Sequence, residues 1–132
     1  MFWCAGVGEE FLILSRYTDR REAKTLSARV LAAVSDTPFA LTNPNETICR
    51  TCSIGWAAFP WHPNHPEIVD YEKVLKLADR ALREAKRAGK NRAVGLLPAG
   101  DQLVPTVSEM VHPGYITAEI LAIVDTTGQQ EE

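Results

Sequence analysis

Three features of the 132-residue sequence predict an α+β sandwich in which helices cover one face of a mostly antiparallel sheet. Short apolar runs bounded by turn residues alternate with two stretches of helical periodicity, in the order strand, helix, two strands, helix, strand. The composition is 45% hydrophobic and 23% charged, which supplies one small core and excludes a disordered chain. No repeat interrupts this order.

Phe11-Leu12-Ile13-Leu14 is a continuous apolar run preceded by Gly6-Val7-Gly8 and two glutamates, so it reads as a buried strand leaving a tight turn. Met1–Ala5 supplies a short second arm for that hairpin. Asp19 and Glu22, three residues apart, can each satisfy a free backbone N–H in a first helical turn. Ala23, Leu26, Val30 and Val34 then form one stripe, and the helix is expected to reach about Ser35. Thr37–Leu41 and Thr47–Phe59 read as strands around the turn residues Asn43-Pro44-Asn45. In the longer one Ile48, Cys52, Ile54, Trp56 and Ala58 share a face. A second helix is predicted from near Asp70, with Val74, Leu77, Ala78, Ala81, Leu82 and Ala85 at helical spacing, and Gly89 ends it in a left-handed conformation. Arg92–Leu97 is the last predicted strand, and Pro98, Gly100 and Pro105 mark departure from the domain. Tyr115–Val124 is apolar enough to dock, as helix or strand, and Gln129–Glu132 is expected to fray.

Fourteen basic and seventeen acidic side chains give a net charge of −3, a poor footprint for long nucleic acid. An anionic partner should therefore be small and locally held. No apolar run has the length of a membrane span, and Met1–Ala5 lacks the pattern of a signal peptide, so a soluble cytoplasmic chain is expected. Three cysteines, two of them in the C-x-x-C of Cys49 and Cys52, argue for reduced thiols rather than a disulfide framework. A zinc site would need a second ligand pair, and the stretch around His62 and His65 reads better as a proline-rich loop.

Two constellations carry chemistry. Glu9 and Glu10 stand at the turn before the first apolar strand, where turn glutamates are most often solvated. Lys86 and Lys90 lie one helical turn apart at the end of the second helix, where basic residues also gain a few tenths of a kcal/mol from the macrodipole. Pointing the same way, they would neutralise a polyphosphate. What raises the functional reading is the ordered set. Val7-Gly8-Glu9-Glu10-Phe11, Cys52-Ser53-Ile54-Gly55-Trp56-Ala57, Ala78-Asp79-Arg80-Ala81-Leu82 and Ala85-Lys86-x-x-Gly89-x-Asn91 resemble, in order, the signature turn, S-I-G strand, A-D-x-A-L helix and helix exit of the GGDEF (diguanylate cyclase) family. The likeness runs from about Gly8 to Leu97.

The resemblance implies a nucleotidyl-cyclase-like, ferredoxin-like domain that joins two GTP into cyclic di-GMP with loss of pyrophosphate. Two such domains, each with one GTP and Mg²⁺ or Mn²⁺, meet face to face as a homodimer. Glu9 would then be metal ligand and candidate base, and Glu10 would assist with metal or hold the loop. Gly8 would let the backbone approach the phosphates, which Lys86 and Lys90 would bind. Arg29 matches a contact to cyclic di-GMP at an inhibitory site, beside the equal alternative of a solvated arginine. The family's first strand with its metal-binding aspartate, its guanine-recognising helices and its upstream R-x-x-D have no counterpart here. The expectation is thus a partial domain over residues 1–98 and an extension over 99–132, weakly active or inactive alone. Val7 replaces the first signature glycine and is expected to distort the turn or weaken GTP binding. The alternative is a degenerate module that binds GTP, cyclic di-GMP or a partner protein without catalysis.

Overall fold

The computed structural model describes residues 2–43, 45–98 and 121–125. It opens with the expected hairpin: β1 (Phe2–Val7) pairs antiparallel with β2 (Glu10–Ser15), in register from Phe2↔Ser15 to Val7↔Glu10. Only Gly8 and Glu9 connect the strands. Gly8 takes φ +62° and Glu9 does not share the positive φ, the pattern of a type II′ turn, which needs a glycine at its first central position and suits the twist of the flanking strands. Val7 sits in the ladder opposite Glu10, and the positive φ of the turn falls on Gly8. The expectation of a buried strand is not met. Phe11, Leu12, Ile13 and Leu14 are 40–73% exposed, because the hairpin forms a two-stranded sheet of its own.

Tyr17, at φ +56°, and a Ser15 Oγ–Thr18 Oγ1 hydrogen bond of 2.5 Å turn the chain out of β2. Asp19 then accepts from the Arg21 N–H and caps a 3₁₀ turn, Arg20–Glu22, which runs into α1 (Ala23–Ser35). The expected capping pair therefore works through Asp19, and Glu22 makes no side-chain cap bond. The end of α1 at Ser35 agrees with the hydrophobic stripe.

The long strand expected over Thr47–Phe59 is two short ones with different partners. β4 (Thr47–Ile48) pairs with β3 (Phe39–Ala40), whereas β5 (Ile54–Trp56) runs parallel to β6 (Ala93–Pro98). β6 in turn pairs antiparallel with β7 (Leu121–Asp125), giving a sheet in the order β5-β6-β7. Among the described residues, three of the four pairings are thus antiparallel. Of the segment 115–124, the part in β7 is a strand; the rest, and the frayed end expected at 129–132, lie outside the described residues.

α2 (Tyr71–Arg87) begins as read, with the Asp70 carboxylate accepting from the Lys73 N–H at 3.0 Å. Its Val74, Leu77, Ala81 and Ala85 are buried with Val94 and Leu96 of β6, Trp61 and Val69, forming the core. β5 lies directly on the backbone of α2. A Cβ at Gly55 would collide with the Ala78 carbonyl oxygen and the Leu82 amide nitrogen, so a strand and a helix recognised separately in the sequence meet through a missing side chain. The proline-rich loop contributes the centre of the core: Trp61 is fully buried and its indole N–H donates to the Leu96 carbonyl at 3.0 Å.

Candidate functional site

The end of α2 is built by backbone hydrogen bonds. The Gly89 N–H donates to the Lys86 carbonyl at 3.4 Å and the Lys90 N–H to the Ala85 carbonyl at 3.0 Å, the paired bonds of a Schellman motif with Gly89 at φ +124°. Lys90 and Asn91 are left-handed too, at φ +63° and +50°. This sharp reversal feeds the chain into β6, and the Ile54 N–H donates to the Arg92 carbonyl at 2.9 Å, tying β5 to the same corner. Lys90, on the reversal, therefore stays beside the last turn of α2 instead of running on from it.

The hairpin tip comes to that corner. Lys86 Nζ is 3.5 Å from Glu10 Oε1, with both side chains about half exposed. Lys86 is available for this pairing because its neighbours are committed: Arg80 and Arg87 both bind the Glu84 carboxylate, at 3.0 and 3.2 Å. An exposed pair of this kind contributes only ~0–1 kcal/mol. It fixes where the tip stands more than how firmly the fold holds, and an anionic ligand can compete for the lysine.

Of the residues expected at the site, the structure pairs Glu10 with Lys86. Glu9 and Lys90 adjoin them along the chain, both exposed and without an ion pair among the described residues. At Gly8 the positive φ calls for a glycine, and a Cβ there would meet no atom of the chain within 4 Å, so the position is open on its outer side. Arg29 lies on the exposed side of α1 and makes no ion pair among the described residues. Sequence reasoning missed Arg20 and the burial of Trp61. Only a tryptophan inside a proline-rich stretch hinted at the latter.

Among the described residues, no three His, Cys, Asp or Glu side chains gather as a metal cage. Mg²⁺ seldom uses such a cage; it binds one or two carboxylates and completes its shell with water and substrate phosphates, so Glu9 and Glu10 fit an ion shared with a nucleotide. The His62 and His65 rings stand 4.9 Å apart, centroid to centroid, and belong to the core loop. Cys49 is exposed, whereas burial pushes the Cys52 thiol up and away from the thiolate that metal binding needs.

Comparison with known proteins identifies the family. The family model "Diguanylate cyclase, GGDEF domain" matches residues 5–92. The chain is 36% identical over 85 residues, 64% of its length, to the diguanylate cyclase DosC of Escherichia coli K12, of which the match covers 17%. It is 33% identical over 92 residues, 70% of its length, to the response regulator PleD of Caulobacter vibrioides NA1000, covering 19% of that protein. With the diguanylate cyclase DgcP of Pseudomonas aeruginosa PAO1 it shares 36% identity over 85 residues, 12% of that relative. The chain thus spans less than a quarter of each of these relatives. No solved structure matches it. With the signature hairpin, the S-I-G strand, the A-D-x-A-L helix and its basic exit all inside the matched span, the chain belongs to the GGDEF diguanylate cyclase domain family.

Proposed function

We propose that this chain takes part in diguanylate cyclase chemistry, in which the ribose 3′-hydroxyl of each of two GTP molecules attacks the α-phosphate of the other and pyrophosphate leaves. The observation that supports the reading is the 3.5 Å approach of Lys86 Nζ to Glu10 Oε1, which brings one signature carboxylate to one cation of α2. Carboxylate and ammonium groups on one side of the molecule are what a nucleotide triphosphate with its counter-ion requires.

In this reading Lys86 exchanges the Glu10 carboxylate for phosphate oxygens, and Lys90 adds a second cation. Glu9, at the bend, holds the ion and takes the 3′-hydroxyl proton on a carboxylate oxygen, while Glu10 supplies a second oxygen or steadies the loop. When bound by these carboxylates, Mg²⁺ or Mn²⁺ would supply Lewis-acid stabilisation of charge on the phosphates. Because each product needs two nucleotides, the reaction needs a second copy of the domain, face to face. We assign residues 1–98 to the partial catalytic domain and 99–132 to an extension that lends β7 to its sheet.

A binding role without turnover is the second reading, favoured by Val7 at the first signature position. One experiment separates them. The purified chain is incubated with labelled GTP and Mg²⁺, and bound nucleotide and cyclic di-GMP are both measured. Product that vanishes in Glu9→Gln supports catalysis. Nucleotide binding without product, weakened by salt and lost in Lys86→Ala/Lys90→Ala, supports the module. Unchanged binding in the double variant would sink the site itself.

A further inference from the structure

The tip of the hairpin is where the proposed chemistry would take place, yet the hairpin is a separate two-stranded sheet with an exposed apolar strand. What holds it in place decides where Glu9 and Glu10 stand. At the tip the contact is the exposed Glu10–Lys86 pair. Past the base, which is the full length of β2 away (about 17 Å at 3.4 Å per residue step), residues 16–19 lead into the 3₁₀ turn, and there Arg20 reaches across to the core loop.

The guanidinium of Arg20 donates to two consecutive carbonyls, Pro60 at 2.5 Å and Trp61 at 2.6 Å, in a partly buried setting. The nearest carboxylate in sequence, Asp19, is occupied by Arg21, which contacts it through Nε at 3.0 Å and Nη2 at 2.9 Å. Arg20 is thereby left to the carbonyls. Trp61 passes the connection inward: it is fully buried, and its indole N–H donates to Leu96 of β6, the central strand. A planar fork with two fixed donors restricts direction as well as distance, which a single ammonium cannot do.

We infer that Arg20 is a positioning residue for the signature turn: by clamping the base of the β1–β2 hairpin to Pro60 and Trp61, it sets where the Glu9 and Glu10 carboxylates stand over the cations ending α2. The clamp is a matter of geometry on this chain. Its consequence for nucleotide rests on the function proposed above.

The test reads the tip directly. A water-soluble carbodiimide converts the Glu10 carboxyl to an O-acylisourea, and Lys86 Nζ attacks its carbonyl to form the amide as the urea leaves with the elements of water, so the yield of the Glu10–Lys86 cross-linked peptide, quantified by mass spectrometry, reports their proximity. In the full chain, Arg20→Ala should lower that yield severalfold, and Arg20→Lys, which keeps the charge and one donor, should restore part of it. Asp70→Ala, which removes the cap at the opposite end of α2, serves as the stability control and should keep the wild-type yield. Wild-type yield in Arg20→Ala overturns the inference, as does an equal loss in Asp70→Ala. Should Arg20→Ala fail to fold by circular dichroism, Arg20→Lys decides: an intermediate yield supports the clamp and an unchanged one overturns it. Affinity for GTP with Mg²⁺, measured alongside, should fall roughly tenfold in Arg20→Ala, the scale of a small displacement of a binding group. A wild-type chain that binds no GTP, yet loses its cross-link in Arg20→Ala, would refute the nucleotide reading and leave the clamp standing.

Discussion

Gly55 and Asp19 show how single residues set local geometry. A methyl group at Gly55 would overlap the backbone of α2 at Ala78 and Leu82, and backbone in mid-helix has nowhere to yield. Gly55→Ala should therefore push β5 off α2 and cost at least about 1–3 kcal/mol, read as a lower urea midpoint. Asp19 acts through charge. Hydrogen bonds from the Arg21 side chain and backbone, in that order, hold its carboxyl at about 2, against an ordinary value of 3.8. A carboxyl depressed in the folded state contributes stability that is complete above its unfolded value and is lost as pH falls through its folded one. The unfolding temperature should accordingly carry an Asp19-dependent slope between pH 3.8 and about 2, absent in Asp19→Asn. An identical slope in the two proteins would show that the pair survives in the unfolded chain.

At the scale of elements, α2 is the part whose ends are set by its own residues. Asp70 caps its first turn and Gly89 closes its last, so Asp70→Ala should lower stability by about 0.5–2 kcal/mol while leaving the helix exit at Lys86–Lys90 in place, a result that urea titration and amide exchange would check. This self-sufficiency is why α2, α1 from its stripe, and the hairpin from its glycine were legible in the sequence. Strands are defined by partners instead. Nothing in Thr47–Phe59 says that Thr47–Ile48 faces β3 while Ile54–Trp56 faces β6, and so one periodic run was read where there are two strands. Trp61 was hidden for a related reason: its burial depends on β6 arriving beneath it, and its neighbours, three prolines among them, carry no period. The candidate site was legible as residue types, since carboxylates after a turn glycine and lysines before a C-terminal glycine are local patterns. That Glu10, not Glu9, meets Lys86, and that Arg20 braces the hairpin from behind, follow from tertiary placement.

For the whole molecule, one imbalance stands out. The core gathers α2, β6 and Trp61, whereas β2 displays Phe11, Leu12, Ile13 and Leu14 at 40–73% exposure in a sheet of two strands. A two-stranded ribbon is marginal by itself, and its outer edges, which pair with no other strand among the described residues, offer backbone donors and acceptors to an extended chain. Apolar side chains on such an edge add a hydrophobic reward to each new pairing. The isolated chain should therefore associate as its concentration rises, with sedimentation velocity showing a growing fraction heavier than the 14.6 kDa monomer. Ile13→Lys places a charge in the middle of β2, within the exposed run and away from both the Glu10–Lys86 pair and the Arg20 clamp, and lysine on an edge strand opposes pairing. That variant should shift the distribution toward monomer while the Glu10–Lys86 cross-link keeps its yield. Association that persists undiminished in Ile13→Lys would mean that a surface other than the hairpin brings the copies together.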